Sequence, residues 1–514
     1  MGIKTSINQP NLWLSKLTQP LTLVLPILVL SLGLGLYNLG TESLWIDELY
    51  SIYDATKVNL NPVELLARFT QIRPLYYVLL RIWMVFGENE VWLRSLSVIF
   101  GVGGVFLTYR LGRKVAGQSV GILASLMLAL SPMFVHFSQM VRMYALGLLL
   151  GLLGSYFLIL VLEAPKTKYF AGWAISRSLM FLATPLNLTL LLPDLILLGA
   201  TFRKQPQTLK GLWKWLLLLG ILCLPSAYSL IAKSLPFLQK AVGLKESVET
   251  AKQTSTFNLP LDLFRKIKKF TVFPFPSTSA TMSRAMRGFT LVLLSLTAVG
   301  FYKSRYTGWL LAIAGWAFLP WLIHAAVAKQ MLFDRYVFYT APYLIILVAA
   351  GLVRIWHMNR AIAAGIAIAY ALIVTMGLGR YYGVQDRQDW RALFEFINQQ
   401  EQPGDTIIYS RELANPEKFT NALRYYHKGD APMVLIRQLC EHDSVTQPEA
   451  VLTFQQVSAP LQQTWLLCGR EFEPDKFQTI LGEYGEIEGH WQFVNEAFYR
   501  QEDYMNLFKV RLTP

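Results

Sequence analysis

Long apolar runs separated by short polar connections fill the first 380 positions of the chain. Runs such as Leu21–Leu39 and Tyr144–Leu162 exceed the ~18 residues that mark a membrane-spanning helix. The pattern predicts spans at 21–39, 94–112, 119–137, 142–162, 168–185, 187–202, 212–234, 287–303, 308–327, 336–353 and 361–379. The predicted fold is therefore a polytopic α-helical membrane protein with about 11 transmembrane helices.

The tail beyond position 380 has a different pattern. Helix-like stretches (388–400, 418–427, 474–482) alternate there with strand-like ones (405–410, 433–437, 464–468, 505–512). We therefore predict a transmembrane domain at 1–380 and a soluble α/β domain at 381–514. Two outer loops of the first domain are long, at 40–91 and 236–286. The second contains Leu261–Phe270, whose apolar and basic faces predict a helix in the headgroup plane.

Composition and charge support membrane insertion. Of 514 residues, 54% are apolar and only 16% charged, with a mean hydropathy of +0.37, whereas soluble domains have about a quarter charged residues. The net charge of +14 would also suit nucleic acid. The basic residues, however, fall in short clusters between apolar runs, so we exclude that partner.

The basic clusters predict the orientation. With a cytoplasmic N-terminus, every inner connection contains Lys or Arg, as the positive-inside rule requires. The protein is then a multi-pass plasma (inner) membrane protein whose C-terminal domain is extracytoplasmic. Cys440 and Cys468 lie in that domain, outside the reducing cytosol, where a disulfide and two free thiols are both compatible with the sequence. The spacing of the cysteines indicates no metal site.

An acidic pair follows the first span, in Leu44-Trp45-Ile46-Asp47-Glu48-Leu49-Tyr50. Carboxylates next to aromatic residues at a membrane surface are costly to desolvate, which points to a functional role. The alternative is an ordinary solvated loop. The semi-apolar stretch Arg73–Trp83 favours function, because a re-entrant or interfacial helix there would hold the carboxylates against the bilayer.

Three arginines on the outer side form a second constellation: Arg73, Arg142 and Arg335. The positive-inside rule gives no reason for them there, and a guanidinium can bind a phosphate through paired donors. Headgroup anchoring by snorkelling is the alternative. Within the spans, Arg177 and Asp194 are predicted at similar depth and are interpreted first as a structural ion pair, with a proton or ion pathway as the alternative.

Together these motifs resemble the GT-C glycosyltransferases, notably the protein O-mannosyltransferase and aminoarabinose-transferase branch (glycosyltransferase family 39-like). The Asp47-Glu48 pair is similar to the first-loop acidic motif of that family. Arg73–Trp83, Ser131–Tyr144 and Arg335-Tyr336 followed by Pro342 resemble its later motifs. The resemblance covers about 20–380. Arg73 stands where relatives often have His, so a metal or acceptor role is not carried over to it.

The resemblance implies inverting transfer of a sugar from a polyprenyl-phosphate donor to a protein, lipid-glycan or polysaccharide acceptor at the outer face. Asp47 is expected to be the general base and Glu48 to orient Asp47 or the acceptor. Arg73, Arg142, Arg335 and Tyr336 are expected to bind the donor phosphate. Residues expected to contact substrate are Tyr50, Tyr76, Gln139 and Tyr144. We expect no cofactor: Asp47 and Glu48 could bind a divalent cation, but no full ligand set is visible. The bilayer is the remaining partner.

Two rival hypotheses belong to other functional classes. A transporter or flippase of lipid-linked glycans would explain the many spans together with Arg177 and Asp194. Such transporters usually have twin halves with broken helices at matching places, and the sequence has no such symmetry. A non-catalytic scaffold whose tail binds envelope glycans would leave the acidic pair without a purpose.

Overall fold

In the computed structural model of the chain, the described residues are 12–243, 264–265, 267–268, 280–328, 334–384, 387–410, 416–436, 463–468, 485–495 and 503–512. They form two units. The first comprises Met1–Tyr37, Val58–Glu88 and Trp92–Tyr381, and the second comprises Asn38–Lys57, Asn89–Val91 and Tyr382–Pro514. The sequence analysis had placed residues 38–57 and 89–91 in the domain at 1–380.

The helices are α1 (Leu12–Leu36), α2 (Ile46–Thr56), α3 (Pro62–Arg68), α4 (Pro74–Met84), α5 (Glu90–Ala116), α6 (Gln118–Leu130), α7 (Pro132–Ser138), α8 (Tyr144–Glu163), α9 (Thr167–Ala183), α10 (Leu191–Phe202), α11 (Pro206–Gly243), α12 (Ala280–Val299), α13 (Thr307–Ala328), α14 (Asp334–Val337), α15 (Ala341–Met358), α16 (Arg360–Gly383), α17 (Trp390–Gln400) and α18 (Pro416–Leu423). Two 3₁₀ turns lie at Pro185–Leu190 and Phe338–Thr340. The strands are β1 (Thr406–Ser410), β2 (Met433–Leu435), β3 (Thr464–Cys468), β4 (Gly485–Asn495) and β5 (Asp503–Leu512).

The first unit is a bundle of membrane-spanning helices. Among the described residues, seven helices are long and apolar enough to cross a membrane, or eight when the bent pair α6–α7 counts as one span. The other predicted spans correspond to α1, α9 and α12; of these, α9 has 17 residues, and α12 carries Arg284 and Arg287. The prediction of a polytopic helical membrane protein is confirmed.

Burial shows which helices lie at the centre of the bundle. Within the apolar 18-residue window of each span, 89% of Asp334–Met358 and 67% of Tyr144–Glu163 is buried in the protein. The buried share of Arg360–Gly383 is only 17%. Helices α8 and α15 therefore lie in the core of the first unit, and α16 lies at its surface. Helices α12 and α15 approach closely at Gly351, where a Cβ would collide with the carbonyl of Leu296. The absence of a side chain at Gly351 allows this approach, as small residues commonly do between membrane helices.

The predicted span 119–137 is broken rather than continuous. Helices α6 and α7 meet at an angle of 65°, and the break lies at Ser131-Pro132. Proline cannot donate to the helix ladder, so a new helix begins there. The Ser131 hydroxyl accepts a bond from the Phe134 amide at 3.4 Å and caps α7.

The tail forms an α/β domain, as predicted. Its sheet has the order β2-β1-β3-β5-β4, with β1 parallel to β2 and β3, and β5 antiparallel to β3 and β4. Strand β4 was missed because alternating polar residues and Gly489 weaken its apolar pattern. Helix α17 turns buried Leu393, Phe394 and Ile397 into the domain. The helix predicted at 474–482 and most of 261–270 lie outside the described residues.

The cysteines have two different states. Cys468 at the end of β3 is disulfide-bonded, and Cys223 in α11 is free and buried. Cys440 lies outside the described residues. The second unit is therefore a disulfide-containing domain, which is typical of proteins that fold in an oxidising compartment.

Candidate active site

The acidic pair lies in the first turn of α2, which belongs to the second unit. Negative side chains are favourable there because the free amides of a helix N-terminus carry partial positive charge. Asp47 is half-buried, whereas Glu48 is completely buried. The Glu48 carboxylate accepts a hydrogen bond from the Trp45 amide at 3.0 Å, so Glu48 closes the start of its own helix.

Glu48 is also one half of a buried ion pair. Arg387, which follows the last span, donates from Nη1 to Glu48 Oε2 at 2.7 Å and pairs with Glu42 at 3.1 Å. Arg387 is only 7% exposed, and a buried charge is tolerated only when it is paired. The Glu48 carboxylate therefore braces the helix that carries Asp47, and its expected role in orienting Asp47 or the acceptor stays a prediction.

A second arginine of the tail holds the segment that leads into α2. Arg391 donates from Nη2 to the carbonyls of Gly40 and Glu42 at 3.0 and 3.1 Å, and from Nε to Glu90 at 3.1 Å. Burial opposes the charge, but the hydrogen bonds and the attraction to Glu90 raise the pKa of Arg391 above its ordinary value. Arg387 and Arg391 were not predicted as site residues, although two basic residues at i and i+4 immediately after an outer helix end were a detectable signal.

Two further hydrogen bonds complete this attachment. The Tyr426 hydroxyl accepts from the Leu44 amide at 2.7 Å and donates to Glu90 at 2.6 Å. The Ser43 hydroxyl donates to the carbonyl of Gln388 at 2.7 Å. Main-chain and side-chain bonds thus tie Gly40, Glu42, Ser43, Leu44 and Glu48 to the tail.

Tyr50 lies one turn beyond Asp47 on α2 and is half-buried. The Lys418 ammonium of α18 is 5.0 Å from the centre of the Tyr50 ring, a cation–π distance. Lys418 also pairs with Asp54 at 2.7 Å. The contact between α2 and α18 therefore holds the face of α2 that carries Tyr50 against α18.

Arg73 belongs to the first unit and has an unusual backbone. It immediately precedes α4 with φ 57° and ψ 47°, the left-handed region. A residue before proline prefers an extended conformation, and a non-glycine residue in the left-handed region costs of order 1–3 kcal/mol. Such outliers cluster at functional sites, and Arg73 is half-buried there with its side chain at the start of a mostly buried helix.

Tyr76 connects the segments of Arg73 and Arg142. Its hydroxyl is 3.0 Å from the Ser97 hydroxyl, which in turn donates to the Arg142 carbonyl at 3.3 Å. Tyr76 is fully buried, and its expected contact with substrate stays a prediction. Tyr76 fixes the backbone of Arg142 from inside the protein.

An aromatic cluster joins the segments of Arg142 and Arg335. The Arg142 guanidinium is 5.8 Å from the ring of Tyr144, Tyr144 packs against Phe137 at 5.4 Å, and Phe137 packs against Phe338 at 4.8 Å. Arg335 lies three residues before Phe338, with its guanidinium 5.2 Å from the ring of Tyr336. Within the first unit, the segments that carry the three arginines therefore pack in one continuous chain of contacts.

Gln139 has a structural position. It is only 5% exposed and donates to the carbonyls of Gly35 and Tyr37 at 3.0 and 2.9 Å. Its carbonyl oxygen accepts from the Tyr381 hydroxyl at 2.6 Å. Both ends of the amide are bonded within the protein, and the expected role of Gln139 in substrate binding stays a prediction.

Arg177 and Asp194 form the structural ion pair that the sequence predicted. Both side chains are fully buried, and Arg177 donates from Nε and Nη2 to the two carboxylate oxygens at 2.7 and 3.0 Å. The indole N–H groups of Trp173 and Trp316 each donate to Asp194 at 2.7 Å. A carboxylate with four donors is a satisfied structural group, and this geometry gives the ion-pathway alternative no support.

Within the described parts of the chain, no group of three or more His, Cys, Asp or Glu side chains could hold a metal ion. The expected independence from a divalent cation stays a prediction. The chemistry available to the described residues is thus a half-buried carboxylate at a helix N-terminus in one unit and three linked arginine segments in the other.

Comparisons with known proteins reveal similarity over both units. Residues 74–230 match the dolichyl-phosphate-mannose-protein mannosyltransferase family. An uncharacterized protein of Aquifex aeolicus is 29% identical over 123 residues, which cover 22% of this chain and 24% of that relative. The match therefore spans about a quarter of the length of that curated relative.

Two solved structures resemble the chain along almost all of its length. The crystal structure of ArnT from Cupriavidus metallidurans bound to undecaprenyl phosphate matches with a TM-score of 0.52 at 12% identity, covering 95% of this chain and 98% of that one. The archaeal oligosaccharyltransferase AglB from Archaeoglobus fulgidus, in complex with an inhibitory peptide and a dolichol-phosphate, matches with a TM-score of 0.52 at 12% identity, covering 93% and 73%. The similarity at this identity is one of fold.

Proposed function

We propose that the chain is a membrane glycosyltransferase of the GT-C type, which its fold resembles, and that it transfers a sugar from a polyprenyl-phosphate-linked donor to an acceptor at the outer membrane face. The anomeric carbon is inverted in the reaction. The acceptor is a hydroxyl or amine of a protein, a lipid glycan or a polysaccharide.

The observation that carries the proposal is the shared fold of this chain and a protein crystallised with undecaprenyl phosphate. The match covers the transmembrane helices and the C-terminal domain alike, 95% of this chain. The second structural relative holds a dolichol-phosphate, so both relatives bind a polyprenyl phosphate. The matching family and structures are glycosyltransferases, and they lend no support to a flippase.

The chemistry of this donor requires only one carboxylate. Glycosidases use two, because an alkoxide leaving group must be protonated. A polyprenyl phosphate leaves as a stable anion and takes the electron pair of the C1–O bond with it. The acceptor oxygen or nitrogen attacks C1 from the opposite face, and Asp47 accepts its proton. Glu48 is ion-paired with Arg387, and we assign the role of the base to Asp47, which is half-buried.

Positive charge must balance the negative charge that develops on the departing phosphate. Arg73, Arg142 and Arg335 supply it, with Tyr336 packed beside Arg335. Guanidinium groups suit this task because their planar donors bind phosphate oxygens in pairs. The linked packing of the three arginine segments supports their acting on one phosphate.

The protein is an integral membrane protein, and we place its N-terminus in the cytoplasm and its C-terminal domain outside. The disulfide at Cys468 supports this placement, because disulfides persist in oxidising compartments and are rare in the cytosol. Outside the cell, nucleotide sugars are absent, and a lipid carrier is the remaining source of activated sugar.

A transfer assay tests the proposal. Purified protein in liposomes is supplied with a panel of radiolabelled polyprenyl-phosphate sugars and an extract of envelope acceptors. Acceptor-dependent release of polyprenyl phosphate, with a product of opposite anomeric configuration, is expected. A flippase would move the labelled lipid between leaflets without releasing the phosphate, and that result would overturn the proposal.

A further inference from the structure

The segment that carries the candidate base is held by the C-terminal domain. Within residues 40–48, Arg391 binds the carbonyls of Gly40 and Glu42, and Tyr426 binds the Leu44 amide. Local bonds also hold the segment, among them the cap in which the Trp45 amide donates to the Glu48 carboxylate. The place of Asp47 therefore depends on residues more than 300 positions later in the chain.

The Glu48–Arg387 pair is the central bond of this attachment. Glu48 directly follows Asp47, so a shift of its carboxylate carries the Asp47 backbone with it. Both partners are buried, with 6% of the Arg387 side chain and 0% of the Glu48 side chain exposed. Removing Arg387 leaves a buried carboxylate that must move towards water to be solvated. That movement changes the position of Asp47 without removing any group that touches the donor.

We propose that Arg387 is a positioning residue for Asp47, and that the C-terminal domain is a required part of the transfer chemistry. The inference rests on the proposed function, because it assigns a role within that reaction. Reacting groups must be aligned closely, and a misplacement of 1 Å can cost about a hundredfold in rate. Arg387 therefore acts on the chemical step and not on donor binding.

The test compares Arg387→Met with a matched buried pair elsewhere in the tail. His427 and Glu401 pair at 2.8 Å with 3% and 10% of their side chains exposed, and neither contacts residues 40–48 among the described bonds. In Arg387→Met we expect kcat to fall about a hundredfold, with the KM for the donor and the affinity for polyprenyl phosphate unchanged. Glu401→Gln should keep the wild-type kcat, and Arg387→Lys should regain part of it.

Several outcomes decide the inference. An unchanged kcat in folded Arg387→Met, or a parallel loss of donor affinity, overturns it. If Arg387→Met does not fold, Tyr426→Phe removes only the hydroxyl that binds Leu44 and Glu90. A several-fold lower kcat at wild-type KM is then expected, and an unchanged kcat overturns the inference. Absence of transfer in the wild-type protein would instead contradict the proposed function.

A separate observation concerns a cavity of about 430 Å³ in the first unit. It lies where the connection between α5 and α6, the segment after α12 and the end of α15 meet. Three of its lining residues are cationic, namely Lys303, Arg305 and Arg354, and none is acidic. The cavity is therefore a concentrated positive site, distinct from the arginine segments described above.

Details of the lining suit an anion with several oxygens. Arg354 Nε is buried and has no acceptor within the described part of the chain. The Tyr302 ring lies 5.3 Å from the Lys303 ammonium and 5.8 Å from the Arg354 guanidinium, which holds both cations at the cavity. The first amides of α6 also open there, because its cap Gly117 has no side chain to bind them.

The geometry points to a phosphate group as the ligand of this cavity, from an anionic lipid headgroup or from free phosphate. Thermal unfolding is measured with short-chain phosphatidylglycerol, phosphatidylcholine and inorganic phosphate. Phosphatidylglycerol should raise the melting temperature of the wild type. It should do the same for the control Arg203→Gln, which replaces an exposed residue outside the cavity. It should bind Arg354→Gln about tenfold more weakly. An equal effect of inorganic phosphate identifies the free ion as the ligand. The assignment is overturned if neither phosphatidylglycerol nor inorganic phosphate changes the melting temperature, or if Arg354→Gln responds as strongly as the wild type.

Discussion

Arg177 and Asp194 form a doubly hydrogen-bonded ion pair at 2.7 and 3.0 Å in the interior of the transmembrane unit, with no exposed surface on either side chain. Two tryptophan N–H groups satisfy the rest of the carboxylate. A charge pair satisfied in this way fixes α9 and α10 relative to each other and to α13. It explains how two charged residues are tolerated inside a membrane bundle.

The pair is expected to be essential for stability. Arg177→Met should lower the free energy of unfolding by about 3–5 kcal/mol, because an unpaired buried carboxylate remains. Adding Asp194→Leu should recover part of this loss. The exposed pair Lys114–Glu163 supplies the control, since Lys114→Met should cost only about 0–1 kcal/mol. Unfolding measured in detergent checks both, and equal effects of the two single variants would contradict the structural role.

Gln139 should likewise affect stability more than substrate binding. Gln139→Leu removes the bonds to the carbonyls of Gly35 and Tyr37 and to the Tyr381 hydroxyl. We expect a loss of about 1–3 kcal/mol, the cost of unsatisfied buried polar groups. The KM for the donor in the folded fraction should stay at the wild-type value. A raised KM with unchanged stability would restore Gln139 to the binding site.

Much of this architecture could be predicted from the sequence because membrane insertion leaves a strong signal. Runs of apolar residues longer than a bilayer crossing identify helices without reference to their neighbours. After Tyr381 the composition changes to that of ordinary soluble domains, and this change identified the α/β tail equally well. The break at Ser131-Pro132 was missed because the apolar pattern continues across it.

The residues around the acidic pair could not be predicted in the same way. Asp47 and Glu48 are adjacent in sequence, yet one is half-buried and the other is fully buried against Arg387. That distinction depends on a partner more than 300 positions away. Tyr76 and Gln139 belong to recognisable motifs, but only their hydrogen-bond partners reveal that they act inside the protein.

Arg335 is expected to bind the donor phosphate directly. Arg335→Ala should weaken the affinity for polyprenyl phosphate by about 1.5–3 kcal/mol, roughly tenfold to a hundredfold, the range for hydrogen bonds to charged groups. Titration calorimetry with a water-soluble short-chain polyprenyl phosphate measures it. Arg203→Ala, at another connection, should bind normally. Unchanged affinity in Arg335→Ala would indicate a headgroup anchor instead.

The orientation of the chain can be measured with reporter fusions. Alkaline phosphatase fused after residue 384 should be active, and a fluorescent protein that folds only in the cytoplasm should be dark at that site. The reverse pattern is expected for fusions in the connection after α10, near Arg203. A fluorescent C-terminal fusion would contradict an extracytoplasmic tail.

The central claim is that Asp47 accepts the proton of the attacking acceptor. The most direct measurement compares the transfer rate and the donor affinity of Asp47→Asn with those of Asp54→Asn, a substitution two turns farther along α2. We expect Asp47→Asn to reduce transfer by about 10²–10⁴-fold while polyprenyl-phosphate binding survives, and Asp54→Asn to remain active. Wild-type transfer in folded Asp47→Asn would contradict the account.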